Sequence, residues 1–154
     1  MNDLATIADF LRAHSTLTLA TVSDDGTPYA TPLFYVLDEN LQLYWLSSGS
    51  STHSMHLAVR SDVSAAVYSE TDEWEKIRGL QLWGTASVVQ QSNLRKDVVK
   101  AYTERFRLGS IFRLAIVACN LYRLTPMRVR YLDNSKHFGY KRELILPRQG
   151  EPAV

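Results

Sequence analysis

The stretch TLTLATVSDDGTPYATPLFYVL, residues 16–37, is the most informative part of the sequence about the fold. Its first seven residues alternate between polar and apolar side chains, which is typical of a β-strand with one buried face. The Asp25-Gly26 pair that follows is a strong signal for a tight hairpin turn. The returning strand contains Pro32, which lacks an amide donor and therefore predicts a bulge or a sheet edge. The stretch predicts an antiparallel hairpin.

Alternating segments continue along the chain. LQLYWLS at residues 41–47 predicts a third strand that extends the hairpin into a meander, with Leu41, Leu43 and Trp45 on one face. Gly79 and Gly84 mark positions for a bulge or a bend in a later, long strand. The further predicted strands are VSAAVYS (63–69), IRGLQLWGTASVVQ (77–90), LYRLTP (121–126), MRVRYLD (127–133) and KRELILP (141–147).

Apolar residues at helical spacing predict three helices. The first is capped by Asn2 or Asp3, the second covers residues 51–61 after a Ser50 or Ser51 cap, and the third begins at a Ser92 cap. The segment IFRLAIVA (111–118) fits a short helix or a strand. We predict one mainly β (α+β) domain over residues 1–154, an antiparallel barrel, closed or partly closed, with a few peripheral helices. Side chains fill a small barrel, so a ligand is expected outside it or at a subunit seam.

Composition limits the possible functions. The 154 residues are 45% hydrophobic and 21% charged, which is ordinary for one globular domain. The net charge of +1 is uneven, because residues 1–103 hold 7 Lys/Arg against 12 Asp/Glu and residues 104–154 hold 10 against 4. This distribution argues against a uniformly basic nucleic-acid coat and leaves room for a local anion site. The N-terminus does not resemble a signal peptide, and no apolar run is long enough to span a membrane, so we expect a cytoplasmic protein.

Several enzyme classes lack their signatures in this sequence. It contains no G-x-S-x-G elbow, no P-loop and no G-x-G-x-x-G fingerprint. The one cysteine, Cys119, excludes an internal disulfide and a cysteine-rich zinc site, and its apolar neighbours predict a buried residue rather than a nucleophile. His53 and His56 are three residues apart on one helix face, but no third ligand lies nearby in sequence. We therefore predict no metal site.

The most informative segment for function is SSGSSTHS, residues 47–54, between a predicted strand and a predicted helix. Its hydroxyl groups and the free amides of a first helical turn can converge on an anion such as phosphate. The alternative interpretation is a polar loop with a serine cap. Two other sets of residues also allow two interpretations. The tryptophans could stack on a planar ligand or belong to the core, and they are Trp45, Trp74 and Trp83. The arginines could bind an anion or form a solvated face, and they are Arg123, Arg128 and Arg130.

From about Leu17 to Pro147 the chain resembles the FMN-binding split-barrel proteins related to pyridoxamine 5′-phosphate oxidase, in particular their small single-domain bacterial members. Three segments carry the resemblance through their order and spacing. They are GTPYATPLFYVLDENLQLYWLSSGSSTHSMHL (26–57), IRGLQLWGTASVV (77–89) and YLDNSKHFGYKREL (131–144).

The resemblance implies a homodimer that binds FMN in the groove between subunits. By position, it implies that Thr31, Pro32 and Leu33 lie beside the flavin, with Gln81 supplying polar contacts near the ring. It also implies phosphate and ribityl contacts at the strand-to-helix segment, from Ser47, Ser51, Thr52 and His53. We add Lys141, from the basic tail, as a further candidate contact.

The chain departs from the oxidases at the phosphate. Thr31 and Thr52 stand where the oxidases have arginine, and His53 stands for a lysine. Hydroxyl groups do not replace permanent charges, so the basic tail supplies the charge, FMN binds weakly, or the site takes another ligand. Split barrels also include members that handle heme or use deazaflavin. The residues that the oxidase uses for its substrate are not recognisable here.

The leading hypothesis is a flavin-binding protein that acts as an FMN-dependent oxidoreductase on a small-molecule substrate or electron donor, with no catalytic residue assigned. The rival hypothesis is a split barrel that binds a ligand or partner without turnover. A third is nucleic-acid binding through the basic tail, which steep salt dependence would support. If His53 contacts the phosphate, FMN binding should tighten as the pH falls below about 6.5.

Overall fold

A computed structural model of the chain describes residues 3–147. The predicted hairpin is present as β1 (Thr16–Val22) and β2 (Pro28–Phe34), which pair antiparallel in continuous register. The turn between them contains Gly26 with a φ of 89°, a conformation that glycine adopts without strain. β2 forms one edge of the sheet, where Pro32 is tolerated.

The remaining elements follow the sequence closely. The helices are α1 (Asp3–Ala13), α2 (Thr52–Val59), α3 (Ser92–Phe106) and α4 (Ser110–Val117), and Trp74–Lys76 form a single 3₁₀ turn. The other strands are β3 (Val36–Leu37), β4 (Leu43–Ser47), β5 (Asp62–Tyr68), β6 (Arg78–Val88), β7 (Asn120–Asp133) and β8 (Lys141–Ile145).

The predicted meander is correct only in part. The predicted second strand, residues 29–37, is divided at Tyr35 into β2, which pairs with β1, and β3, which pairs with β4, while the other neighbour of β4 is β7. The strand order is β2-β1-β5-β6-β7-β4-β3, with β8 added to β7. β2 and β3 are the two edge strands of this curled sheet and are separated in sequence by Tyr35 alone, so the chain passes from one edge of the sheet to the other through this residue. Tyr35 is fully buried and its hydroxyl donates to the Leu11 carbonyl oxygen at 2.6 Å, which holds the connection against α1.

Two predicted strands, 121–126 and 127–133, are one long strand, β7. Its Pro126 lies opposite Gly84 of β6, where the pairing shifts by a bulge between Trp83 and Gly84. A Cβ on Gly84 would lie only 2.1 Å from the Thr125 carbonyl oxygen, so this position requires glycine. The bulge expected at Gly84 is confirmed, whereas Gly79 lies in regular register opposite Leu132.

Two apolar clusters stabilise the fold. The main one fills the barrel, with Trp45 fully buried, and α1 closes it through Ile7 and Leu11. The second lies between α3 and the outer face of β4 and β7, and it includes Tyr102, Tyr44 and Leu121. By contrast, open cavities lie over the middle of the outer face of β1, β5 and β6, above the half-buried side chains of Thr18, Ala66 and Gln81. This part of the outer sheet surface is therefore bare.

A few local predictions need correction or fall outside the structure. The N-cap of α3 is Gln91 rather than Ser92, and the ambiguous segment 111–118 forms α4. Cys119 is half-buried rather than buried, because it follows the exposed α4. The Asn2 cap lies outside the described residues.

Within residues 3–147, no helix is both long enough and apolar enough to cross a membrane.

Candidate functional site

The serine-rich segment, residues 47–54, connects the end of β4 to the start of α2. Its side chains form two layers. The inner layer consists of the buried residues Ser47, His53 and Ser54, and the remaining side chains lie at or near the surface. Ser48 and Ser50 are exposed, and their hydroxyl oxygens are 2.9 Å apart. The segment therefore presents hydroxyl groups outward from a fixed inner layer.

The first turn of α2 has no side-chain cap. Ser51 has the extended backbone of an N-cap residue, as predicted, but its hydroxyl does not bond the helix amides. It lies instead 2.9 Å from the Ser48 carbonyl oxygen and 2.7 Å from the Ser54 hydroxyl. The first backbone bond into the helix is from Met55 to Ser51. The amides of residues 52–54 thus lack helical acceptors, an arrangement that suits an anion.

His53 organises the inner layer. Its Nε2 atom lies 2.8 Å from the Ser47 hydroxyl and 3.1 Å from the Ser51 hydroxyl. Burial lowers the pKa of His53, and the neighbouring His56 lowers it further. Burial thus favours the neutral ring, whose Nε2 atom lies within hydrogen-bond distance of both serines.

His56 bonds elsewhere, which separates the two histidines. Its Nδ1 lies 3.0 Å from the Thr21 hydroxyl, and its ring meets Tyr29 edge-on at 5.7 Å between centroids. No group of three or more His, Cys, Asp or Glu side chains in the described part of the chain is arranged to hold a metal ion. The contacts of His56 instead attach α2 to the hairpin.

The bare outer face carries a straight cross-strand row. Pro32 pairs with Thr18, Thr18 with Ala66, and Ala66 with Gln81, so four neighbouring strands each contribute one side chain to the same face. Cavities of about 400 Å³ and 170 Å³ lie over this row and share Thr18 and Ala66. We call this surface the trough. Its floor consists of small side chains, and half-buried Trp83 stands at one end.

The structure brings some of the predicted ring residues together and separates others. Pro32 and Gln81 share the trough, whereas Thr31 and Leu33 pair with Leu19 and Leu17 and so point to the opposite, inner face. Sequence reasoning missed Thr18 and Ala66. The sequence signal that could have found them is alternation: each lies between residues predicted to be buried in its strand, so each faces the outside of the barrel.

Lys141 is exposed at the start of β8 and pairs with Leu132. Ser47, in contrast, pairs with Asn120, twelve residues away at the other end of β7. Within one chain the basic tail therefore does not reach the serine-rich segment, and Arg142 pairs with Asp3 at 3.0 Å. Any cation from this tail would have to reach the segment from a second subunit.

The late arginines are engaged with neighbouring side chains. The Arg128 guanidinium lies 4.1 Å from the centre of the Trp83 ring, a cation–π contact. Arg130 pairs with Glu143 at 2.7 Å, and Arg128 lies 3.9 Å from the same carboxylate. Trp83 and the two arginines thus form a wall at the end of the trough, while Trp74 is exposed.

Comparison with solved structures places this architecture among known folds. A conserved hypothetical protein from Mycobacterium tuberculosis is similar with a TM-score of 0.76 at 22% identity, over 97% of this chain and 91% of that one. HutZ, the heme storage protein from Vibrio cholerae, is similar with a TM-score of 0.68 at 26% identity, over 79% of this chain and 88% of that one. A heme binding protein from Mycobacterium smegmatis is similar with a TM-score of 0.66 at 20% identity, over 88% of this chain and 55% of that one.

The sequence comparisons bear on the family. Among curated proteins, none matches the chain significantly. The pyridoxamine 5′-phosphate oxidase family model matches residues 4–133, which covers α1 to the end of β7. The predicted split-barrel fold and the resemblance are both confirmed, and the chain belongs to the pyridoxamine 5′-phosphate oxidase family.

Proposed function

We propose that this protein binds FMN and acts as a flavin-dependent oxidoreductase on a small-molecule substrate, as a cytoplasmic homodimer with the flavin between subunits. The observation that carries the proposal is the uncapped first turn of α2, flanked by exposed serine hydroxyls, in a chain of this family. Free amides and hydroxyls are the donors that a phosphate accepts from.

The donor set fits a phosphate-bearing ligand, although residues 47–54 contain no lysine or arginine. The exposed hydroxyls of Ser48, Ser50 and Thr52 and the amides of residues 52–54 would hold the phosphate. Ser51 and His53 would keep the loop in shape behind it. Hydrogen bonds to a charged group contribute about 1.5–3 kcal/mol each, so several such donors can replace part of a missing charge.

The trough suits the planar ring of the flavin. Pro32 and the small side chains of Thr18 and Ala66 leave a flat floor, and Gln81 offers an amide donor and acceptor at its edge. When bound, the flavin supplies the redox chemistry. The chain's own residues bind it, orient it and exclude water from one of its faces.

The bare sheet face and the open edge of β2 support the homodimer. A sheet face without a covering layer normally packs against another element, which here would come from a second subunit. That subunit would also exclude water from the other face of the ring and bring its own basic tail near the site.

An FMN titration followed by flavin fluorescence tests the proposal. We expect saturable quenching with one FMN per chain, a yellow protein after desalting, and bleaching of the bound flavin by a reduced nicotinamide. A protein that takes up no added FMN contradicts the proposal. Uptake without bleaching by any reductant supports instead a ligand-binding protein without turnover.

Heme is the second candidate ligand, because HutZ, at 26% identity, is a heme storage protein. Heme carries two carboxylates that the same amides and hydroxyls could bind. A hemin titration distinguishes the candidates: a sharp Soret band that saturates at one heme per chain, together with no FMN uptake, favours heme.

A further inference from the structure

Helix α4 exposes most of its apolar surface. The exposed fractions of Ile111, Phe112, Leu114 and Val117 are 81%, 62%, 76% and 79%, and Ile116 is the one buried residue of this helix. Single exposed apolar side chains are ordinary on a protein surface, but four on one eight-residue helix form a contiguous patch. Patches of this kind mark interaction surfaces.

A groove runs beside this patch, between α3 and α4. Its volume is about 420 Å³, and its lining includes Val99, Thr103, Ile116 and Val117 together with Glu104 and Arg113. A ridge and a groove on the same surface suit a two-fold interface, which must be self-complementary, because each copy then presents both halves of the contact. The groove also carries both signs of charge, so two copies can place opposite charges against each other.

The size of the patch fits a second copy of the chain. The four exposed side chains supply on the order of 500 Å² per copy, more than half of the roughly 800 Å² that each partner buries in a stable interface. The walls of the groove add to this area. A small ligand would leave most of the ridge in water.

We propose that α4 and the α3–α4 groove form an interface with a second copy of this chain. This inference rests on the homodimer of the proposed function and assigns part of its contact surface. The chain leads from α4 through Cys119 into Asn120, which pairs with Ser47. A Cβ on Gly49 would lie 3.0 Å from the side-chain nitrogen of Asn120. The interface therefore borders the serine-rich segment, which contains no lysine or arginine of its own.

Sedimentation velocity of the wild type and of Leu114→Asp tests the interface. We expect a wild-type dimer and a folded Leu114→Asp monomer, with the dimer Kd raised at least about a hundredfold, because an unpaired carboxylate would be buried in an apolar contact. Val59→Asp is the matched control, since Val59 ends α2 and is 65% exposed. It should remain dimeric. Phe112→Ser serves as the second α4 variant, measured in the same way, if Leu114→Asp does not fold.

A monomeric wild type overturns the inference, and so does a folded α4 variant that stays fully dimeric. Equal dissociation of Val59→Asp also overturns it, because the contact would then not be specific to α4. FMN titrations of the same samples separate this result from the proposed function. A dimer that dissociates on Leu114→Asp but takes up no FMN keeps the interface and rejects the flavin site. A dimer that binds FMN but is insensitive to Leu114→Asp keeps the flavin site and rejects the α4 interface.

Discussion

The Nε2 atom of His53 lies 2.8 Å from the hydroxyl oxygen of Ser47, and both side chains are buried where β4 meets α2. The ring thereby ties the last residue of a strand to the first turn of a helix. The loop between them, with Ser48 and Ser50, is held in the conformation that points its hydroxyls outward. His53 acts here as a positioning residue, through the loop that it fixes.

Protonation of His53 should destabilise the protein. Burial, with the neighbouring His56, lowers its pKa in the folded state below the unfolded value of 6.5, so the unfolded chain takes up the proton first. This contribution to the free energy of unfolding is complete above pH 6.5 and is lost as the pH falls below it. Because the pKa of His53 is lowered, any gain in phosphate affinity from its protonation should also appear at a lower pH than the 6.5 expected from the sequence.

Urea unfolding at several pH values between about 5 and 8 checks this prediction. His53→Gln should lower the stability by about 1–3 kcal/mol at pH 7, because the buried Ser47 hydroxyl loses its partner. It should also flatten the loss of stability toward acid pH. His137→Gln, at an exposed position, is the control and should keep the wild-type slope. Identical slopes for wild type and His53→Gln would contradict the prediction.

Thr52→Arg should tighten FMN binding. Thr52 is exposed at the first position of α2, where it would place a guanidinium beside the uncapped amides. One charge-assisted bond to a phosphate predicts an increase in affinity of about tenfold or more, measured by fluorescence titration. Thr52→Gln controls for side-chain length. Riboflavin lacks the phosphate, so equal tightening for riboflavin would show that the phosphate does not lie at α2.

The sequence predicts local structure at many positions because their signals are local. Asp25-Gly26, Pro32 and Gly84 each impose a backbone constraint, and the structure has a turn, an edge and a bulge there. The pairing of β4 with β7 was not predictable, because alternation at Leu43 and Trp45 specifies which face is buried but not which strand lies alongside.

In the candidate site, too, the local features were predictable and the features that depend on strand pairing were not. The serine-rich segment is contiguous, and its place between a strand and a helix follows from its neighbours. The row that joins Pro32 to Gln81 depends on three strand registers, none of which the sequence specifies. The distance of Lys141 from the segment likewise depends on where β8 pairs along β7.

Gly84→Ala should be strongly destabilising. The added Cβ would meet the Thr125 carbonyl oxygen at 2.1 Å and the Cα of Pro126 at 2.9 Å, and both neighbours are backbone in a paired strand. We expect a loss of about 2–4 kcal/mol in the free energy of unfolding, measured with urea. Gly109→Ala, with nothing within 4 Å of its Cβ, is the control and should change stability by less than about 1 kcal/mol. Similar losses for the two variants would argue against the bulge.

Ala66→Phe should block the trough and weaken flavin binding. Ala66 lies between Thr18 and Gln81 in the cross-strand row and lines both cavities, so a phenyl ring there occupies the space proposed for the flavin ring. Because the side chain points outward from the barrel, the core is unchanged and the melting temperature should stay near that of the wild type. We expect FMN and riboflavin affinities to fall together by at least about tenfold, since the ring and not the phosphate is displaced. Ala101→Phe, on the exposed surface of α3, should bind both flavins as the wild type does. Unchanged affinity of the Ala66→Phe variant for both ligands would place the flavin ring outside the trough.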